Sequence, residues 1–494
     1  MNLKFGTGGL RATMAPGPDH LNMETIREAT LGVAAYAKTL KLTPKIAIAY
    51  DSRRNSESFA KETARVLAVK GCQVFIYPKL MPTPALSFAV RALKCDLGIV
   101  ITASHNPKDY NGYKVYGADG CQITGEAAER IQRKIKRAGG NEISDWREFQ
   151  DLLRERKINY IGEDITNQFL DSIKALRTCK ELKTDLKVVY TPLNGTGADP
   201  VTAILTSIGV KNLFFVPEQM YPNGEFPTCP SPNPENADAL KLGISYCKKV
   251  DADILLATDP DSDRVGVAAK RDGEYEHLTG NQVGVLLLDY LLKWHTENGT
   301  LPENPLILKT IVTTSMAEKI AAHYGVKVIN TLTGFKYIGE KIGYLEKLGE
   351  LERFVFGFEE SCGYLIGPYV RDKDAVGAAM VICEMADYYK AQGKTLWDVL
   401  EELYNTYGHY QTELKTFQFG ENEAKEYMKR LRNDLKKGYV QISSARVVKY
   451  VDYLDGIDGL PKADVIKMWM EDGAEIVVRP SGTEPKIKVY LETE

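Results

Sequence analysis

Residues 96–107 read Asp-Leu-Gly-Ile-Val-Ile-Thr-Ala-Ser-His-Asn-Pro. The first half is a short apolar run rich in branched side chains, the composition of a strand buried on both faces. The second half is polar and closes on Asn106-Pro107, a pair that favours a turn. A buried strand that opens straight into a polar loop is what a parallel α/β sheet presents at the carboxyl ends of its strands, where ligands bind.

The same arrangement occurs three times. Strand-like runs at 45–50 (KIAIAY), 73–77 (QVFIY) and 96–101 (DLGIVI) form a first set. Runs at 186–190, 212–216 and 253–257 form a second, and runs at 306–312, 326–329 and 354–356 a third. Helical patterns lie between them, so the strands of each set are expected to be parallel and joined by crossover helices. Each third strand enters a polar loop: TASHNP (102–107), TDPDSDR (258–264) and GFEESCG (357–363). Three sheets delivering such loops at equivalent ends would build one shared cleft. The last ~90 residues differ, with a helical stretch at 423–437 followed by strands, as in a smaller α+β domain. The fold expected is therefore α/β: three topologically similar domains with mixed sheets and a C-terminal α+β domain around a deep central cleft. The divisions fall at residues 1–160, 161–273, 274–405 and 406–494. The Pro-rich stretch 221–234 reads as a long loop inside the second domain.

Bulk properties agree. The chain has 494 residues, which suggests about three or four domains. A net charge of −3 leaves no large basic field for nucleic acid or anionic lipid. The eight cysteines are scattered singly, without a C-x-x-C pair, as expected of a reduced, cytoplasmic protein. The N-terminus lacks the apolar core of a signal peptide, and the apolar stretch at 283–292 is too short to span a bilayer.

The polar loops carry chemistry. Ser104 is a candidate nucleophile on an exposed turn, although a serine needs a base or a charged environment to react. His105 is its neighbour, but adjacent loop residues often point apart, and no Ser–His pair is assumed. Asp259, Asp261 and Asp263 alternate and offer hard oxygen ligands for Mg²⁺, with Arg264 next in line for a phosphate. The same DPDSD segment is compatible with an aspartyl-phosphate phosphatase. Glu359, Glu360 and Ser361 suit sugar hydroxyls better than glycosidase chemistry, because sequence neighbours are poorly placed to flank a glycosidic bond. Arg479 with Ser481, Gly482 and Thr483 supplies a guanidinium fork, hydroxyls and backbone N–H donors for an anion. Arg11 and Lys114 are cations able to stabilise a phosphoryl group or carry a proton.

Taken together, FGTGGLR (5–11), TASHNPKDYNGYKVYG (102–117), GFEES-x-GYL (357–365) and VRDKDAV (370–376) resemble the α-D-phosphohexomutase superfamily over nearly the whole chain, closest to its phosphoglucomutase branch. The resemblance implies that Ser104 is the phosphoserine and that its phosphate holds Mg²⁺ together with Asp259, Asp261 and Asp263. It implies that Arg264 lies at the active site, and that Thr333, Gly334, Glu359 and Ser361 line the sugar site. Lys373 and the 479–483 loop would hold the non-reacting phosphate. Ala12, Cys362 and residues 14–22 depart from the family pattern and bear on substrate preference. The expected activity is reversible transfer of phosphate between the 1- and 6-positions of glucose phosphate through glucose 1,6-bisphosphate. Mannose or pentose phosphates, bisphosphate synthesis, and a sugar phosphatase using DPDSD are the alternatives. Small-molecule sugar phosphates are the only partners expected; nucleic acid, membrane and an obligate protein partner are not.

Overall fold

The computed structural model describes residues 1–5, 9–137, 143, 145–420, 423–438, 440–442, 445–457, 459–480 and 486–494. All nine strands of the three repeats are present, and each set is parallel. Lys45–Tyr50 pairs with Gln73–Ile76 and with Leu97–Ile101. Lys187–Thr191 pairs with Asn212–Phe215 and Ile254–Thr258, and Leu306–Thr310 with Lys327–Thr331 and Phe354–Glu359.

Each sheet also contains an antiparallel strand that begins just after the polar loop. Tyr110–Gly117 pairs with Leu97–Ile101, Val265–Arg271 with Ile254–Thr258, and Gly363–Ile366 with Phe354–Glu359. The polar loops are thus hairpin connections rather than strand-to-helix turns. Residues 108–116, read from the sequence only as a segment carrying Lys114, form most of one of these strands. Their polar residues hide the strand pattern: Asn111 is fully buried, where its side-chain amide donates to the Arg54 carbonyl and to Ser56 Oγ.

The faces follow the period of two along a strand. In the first sheet Ile46, Ile48 and Tyr50 point to one core, with the helices Met23–Leu40 and Ser56–Val69. Ala47 and Ala49 point to the other, against the helix Thr83–Ala92. That second core does not stop at the first sheet. It continues through Val188, Tyr190 and Leu256 of the second sheet to Ile307, Phe356 and Phe358 of the third. One continuous apolar interior therefore sets the three sheets against one another and fixes the relative positions of their loops.

The last sheet is antiparallel, in the order Gln411–Gln418, Lys486–Thr493, Glu475–Pro480, Ile466–Met470, Ala445–Asp452, Gln441–Ile442. The helix Glu423–Lys436 packs on it through Ala424, Met428 and Leu435. A separate cluster joins Val465, Val477 and Tyr490 to Ile311, Val312 and Leu332 of the third domain.

Candidate active site

A cleft of 1120 Å³ is lined by residues from all four domains, among them Arg11, Ser104, Lys114, Arg264, Thr333, Gly334, Glu359, Ser361, Lys373 and Arg479. The segments of the first three domains converge because their sheets share a core, and the fourth domain is joined to them by the separate cluster around Val465, Val477 and Tyr490.

Ser104 sits at the base of its loop, 3 % exposed, with φ 53°. This left-handed backbone is unfavourable for a residue with a Cβ and turns the side chain sharply out of the strand direction. Its N–H is taken by Thr102 Oγ1 at 2.8 Å, and the Thr102 hydroxyl in turn donates to Asp51 Oδ2 at 2.6 Å. Ser104 Oγ donates to Asp259 Oδ2 at 2.7 Å. His105 Nδ1 lies 3.2 Å from the same serine oxygen. Burial, reinforced by the charges of Arg264 and Arg11, pushes the His105 imidazole well below its ordinary pKa and keeps it neutral.

Asp259, Asp261 and Asp263 are all buried, and one carboxylate oxygen of each lies within 4.8 Å of the others. The segment is a tight turn with Ser262 at φ 52°. Asp259 Oδ1 accepts from the N–H groups of Asp263 and Arg264, both at 3.1 Å. Asp261 Oδ2 accepts from Thr83 Oγ1 at 2.9 Å and from Lys114 Nζ at 3.0 Å. Lys373 Nζ stands 2.9 Å from Asp263 Oδ2 and 3.4 Å from Asp372 Oδ1. Burial and the neighbouring carboxylates push Asp259 well above the usual carboxylate range. Burial acts on Asp261 in the same sense, but Lys114, Asp259 and Lys373 together outweigh it and hold that carboxyl below the usual range. Asp261 Oδ1 and Asp263 Oδ1 are buried without a hydrogen-bond partner. Three convergent carboxylates with orphaned oxygens fit a hard divalent cation, and such a group could bind a metal ion.

Arg11 and Lys114 reach the cleft on paired strands, in a register that sets Gly9 opposite Lys114 and Arg11 opposite Gly112. Gly112 is required: a Cβ there would lie 2.3 Å from the Thr102 carbonyl and 2.9 Å from that of Leu10. Arg11 Nη1 donates to Asn106 Oδ1 at 2.9 Å, so it braces the serine loop from the solvent side. Arg264 Nη1 donates to Glu235 Oε2 at 2.9 Å.

On the third domain Glu359 ends its strand opposite Gly363, and Glu360 Oε2 accepts from the hydroxyls of Thr310 and Thr313. Burial, then the charge of Glu359, pushes the Glu360 carboxyl up to about 7. Thr333 Oγ1 is buried without a partner, and Gly334 at φ 115° opens the helix Phe335–Leu348. Arg479 lies across the strand pair from Lys488 and donates from Nη2 to Tyr490 Oη at 3.3 Å. Ser481, Gly482 and Thr483 lie outside the described residues, as do residues 6–8 of FGTGGLR. Thr83, Asp51 and Glu235 are not legible in the sequence, because the contacts that tie them to the site, to Asp261, Thr102 and Arg264, come from residues distant in the chain; the polar segments 51–54 and 233–236 are ordinary as sequence.

Four family models match in chain order: phosphoglucomutase/phosphomannomutase alpha/beta/alpha domains I (residues 2–141), II (167–273) and III (279–407), and the C-terminal domain (428–494). A phosphoglucomutase of Staphylococcus haemolyticus (strain JCSC1435) is 35% identical over 502 residues, covering 99% of this chain and 90% of its own. One of Staphylococcus saprophyticus subsp. saprophyticus is 36% identical over 508 residues, covering 100% and 90%. Among solved structures, a putative phosphomannomutase from Thermus thermophilus superposes with a TM-score of 0.75 at 22% identity, covering 100% of this chain and 95% of its own. The open form of the Paramecium phosphoglucomutase pp63/parafusin gives 0.74 at 18%, covering 99% and 90%.

Proposed function

The chain belongs to the phosphoglucomutase/phosphomannomutase family of the α-D-phosphohexomutase superfamily, mutases that transfer phosphate intramolecularly, and from that premise we propose that it interconverts α-D-glucose 1-phosphate and glucose 6-phosphate. The observation that carries the reading is the hydrogen bond from Ser104 Oγ to Asp259, which joins a strained serine to a buried carboxylate triad.

In this reading Ser104 works as a phosphoserine. The free hydroxyl of the sugar attacks its phosphorus; the bond to Ser104 Oγ breaks and a new P–O bond forms, giving glucose 1,6-bisphosphate. Ser104 Oγ takes a proton from the Lys114 ammonium, which is tied to Asp261, and the hydroxyl proton replaces it on Lys114. After the bisphosphate turns in the cleft, the reverse step returns its other phosphoryl group to Ser104. Phosphoryl transfer depends on positioning and charge more than on covalent help, so cations dominate the site. Arg11 and Arg264 flank the reacting phosphate. Asp259, Asp261, Asp263 and the phosphoserine would hold Mg²⁺, which when bound supplies Lewis-acid stabilisation of the phosphoryl oxygens. Lys373, whose ammonium stands beside Asp263, would join the 479–483 loop in holding the non-reacting phosphate. Thr333, Gly334, Glu359 and Ser361 recognise sugar hydroxyls. Arg479 with Ser481, Gly482 and Thr483 holds the phosphate that is not reacting. Glucose 1,6-bisphosphate serves as both activator and intermediate. The eight cysteines are all free, which supports a cytoplasmic setting.

The test is to mix the protein with Mg²⁺, a trace of glucose 1,6-bisphosphate and, in turn, the 1-phosphates of glucose, mannose, ribose and deoxyribose. Fastest formation of the 6-phosphate from the glucose substrate, without free phosphate, is the expected result. A faster reaction with another sugar, or release of free phosphate, contradicts the glucose assignment.

A further inference from the structure

We propose that Arg53 is the positioning residue of the nucleophile loop, and that the 221–226 turn of the second domain locks it in place. The inference rests on the phosphoserine reading above and adds a dependence of Ser104 on the neighbouring domain.

Arg53 is 3 % exposed and its guanidinium lies directly under the Ser104 loop. Nη2 donates to the carbonyls of Ser104 and Asn106, both at 2.5 Å. Nη1 donates to those of Pro107 and Tyr110, at 2.9 and 3.1 Å. Nε stands 3.3 Å from Asp51 Oδ2, on the carboxylate that also holds Thr102. The four N–H bonds at Nη1 and Nη2 are thereby committed to this loop, and Nε is turned to its support. The fork is spent on backbone rather than aimed at a substrate phosphate, so Arg53 acts through Ser104 and not on the ligand. Four backbone carbonyls converging on one cation describe a loop whose path is dictated from beneath. That path includes the left-handed backbone of Ser104, a conformation that persists only where its surroundings impose it. The same guanidinium is a fixed positive charge behind a serine that must carry a phosphoryl group of about −2 charge.

Arg53 is also covered from a different domain. The Phe226 ring centroid is 5.1 Å from the guanidinium carbon, and Phe226 is 1 % exposed. Phe226 itself has φ 44°, a costly backbone for an aromatic residue. The turn leading to it is seated just as closely. A Cβ on Gly224 would fall 2.4 Å from the Arg54 nitrogen. Glu225 bridges Arg54 and Lys108, at 3.3 and 3.1 Å, so it grips both the 51–54 segment and the far end of the serine loop. Two strained residues, Ser104 and Phe226, therefore both bear on one arginine. The first part of the Pro-rich stretch 221–234, the 221–226 turn, is the strap that holds that arginine.

Two variants test this, Arg53→Lys and Phe226→Leu. Lysine keeps the charge but loses the planar fork; leucine keeps the apolar burial but loses the aromatic face. Each variant and the wild type are mixed with glucose 1,6-bisphosphate and Mg²⁺. Phosphate on Ser104 is followed in time by mass spectrometry, alongside kcat, KM for glucose 1-phosphate and thermal unfolding. Arg53→Lys should slow phosphorylation of Ser104 and lower kcat by about 100-fold, the scale of a misplacement of about 1 Å. Phe226→Leu should lower both by about 10-fold, a tenth of that effect. KM should stay within about twofold of wild type, because no substrate contact is removed. If Arg53→Lys does not fold, Phe226→Leu decides. Folded variants phosphorylated at the wild-type rate, or variants altered in KM alone, overturn the assignment. A wild type that takes no phosphate on Ser104 contradicts the mutase reading itself and is thereby told apart from failure of the Arg53 proposal.

Discussion

Ser104 Oγ donates a 2.7 Å hydrogen bond to Asp259 Oδ2 across 155 positions of sequence and a domain boundary. The bond is possible only because the first and second sheets are set against one core, so that their third strands end side by side. Serine and carboxylate triad meet at one place by virtue of packing far from either.

Asp261 is the member of the triad held by two groups of the first domain, Thr83 and Lys114. Asp261→Asn removes one negative charge where the orphaned oxygens converge. The Mg²⁺ concentration for half-maximal activity should rise at least ~10-fold, and kcat should fall. A magnesium titration of the initial rate checks it; an unchanged half-saturation contradicts the metal assignment.

Glu235 fixes Arg264 through a 2.9 Å ion pair with Nη1. Glu235→Gln keeps the shape and one acceptor but loses the charge, leaving the guanidinium free to swing from the cleft. A fall of about 10-fold in kcat/KM is expected, on the scale of a lost charge-assisted hydrogen bond. Steady-state kinetics at fixed Mg²⁺ measure it, and thermal unfolding within a few degrees of wild type separates the effect from misfolding.

Gly112→Ala should damage both fold and activity. The added Cβ meets two backbone carbonyls, neither of which can move without shifting the Ser104 loop or the Arg11 strand. Overpacking of this kind destabilises by about 1–3 kcal/mol. Stability to chemical denaturation and the rate of the mutase reaction should fall together.

Asp374 links pH to stability. It caps the helix Ala375–Lys390 by accepting from Val376 N at 2.8 Å, and its burial pushes the carboxyl up to about 7. The folded protein then binds more protons than the unfolded chain between about pH 4 and pH 7. Its contribution is favourable at the acid end of that window and is lost as pH rises through the folded value. Asp374→Asn keeps a capping acceptor and cannot ionise. The variant should match wild type near pH 4, and its advantage in unfolding temperature should grow from there to pH 8. A wild type and variant with parallel unfolding temperatures from pH 5 to 8 would contradict the assignment.

Much of this arrangement could be read from sequence, for a physical reason. Parallel strands covered on both faces must be apolar throughout, so runs such as 97–101 stand out against any background. The strands that follow the loops do not, because Asn111 and Lys114 are buried polar residues whose partners come from elsewhere in the fold. Ser104, Asp259, Asp261 and Asp263 were visible because clustered polar residues at a strand end are conspicuous. Arg53, Thr83 and Glu235 were not, since each acts through a tertiary contact to a residue at least 29 positions away. Arg479 was recognisable from the residues around it, while its partner Tyr490 depends on strand register.

A phosphoryl group carried by Ser104 can be observed directly. Protein incubated with glucose 1,6-bisphosphate and Mg²⁺ should carry one phosphoryl group, located on Ser104 by peptide mass spectrometry. Adding unlabelled glucose 1-phosphate should discharge it at a rate no slower than turnover, and Ser104→Ala should show neither phosphate nor activity. An active enzyme whose Ser104 stays unmodified throughout, or a Ser104→Ala variant with wild-type mutase activity, would contradict the account.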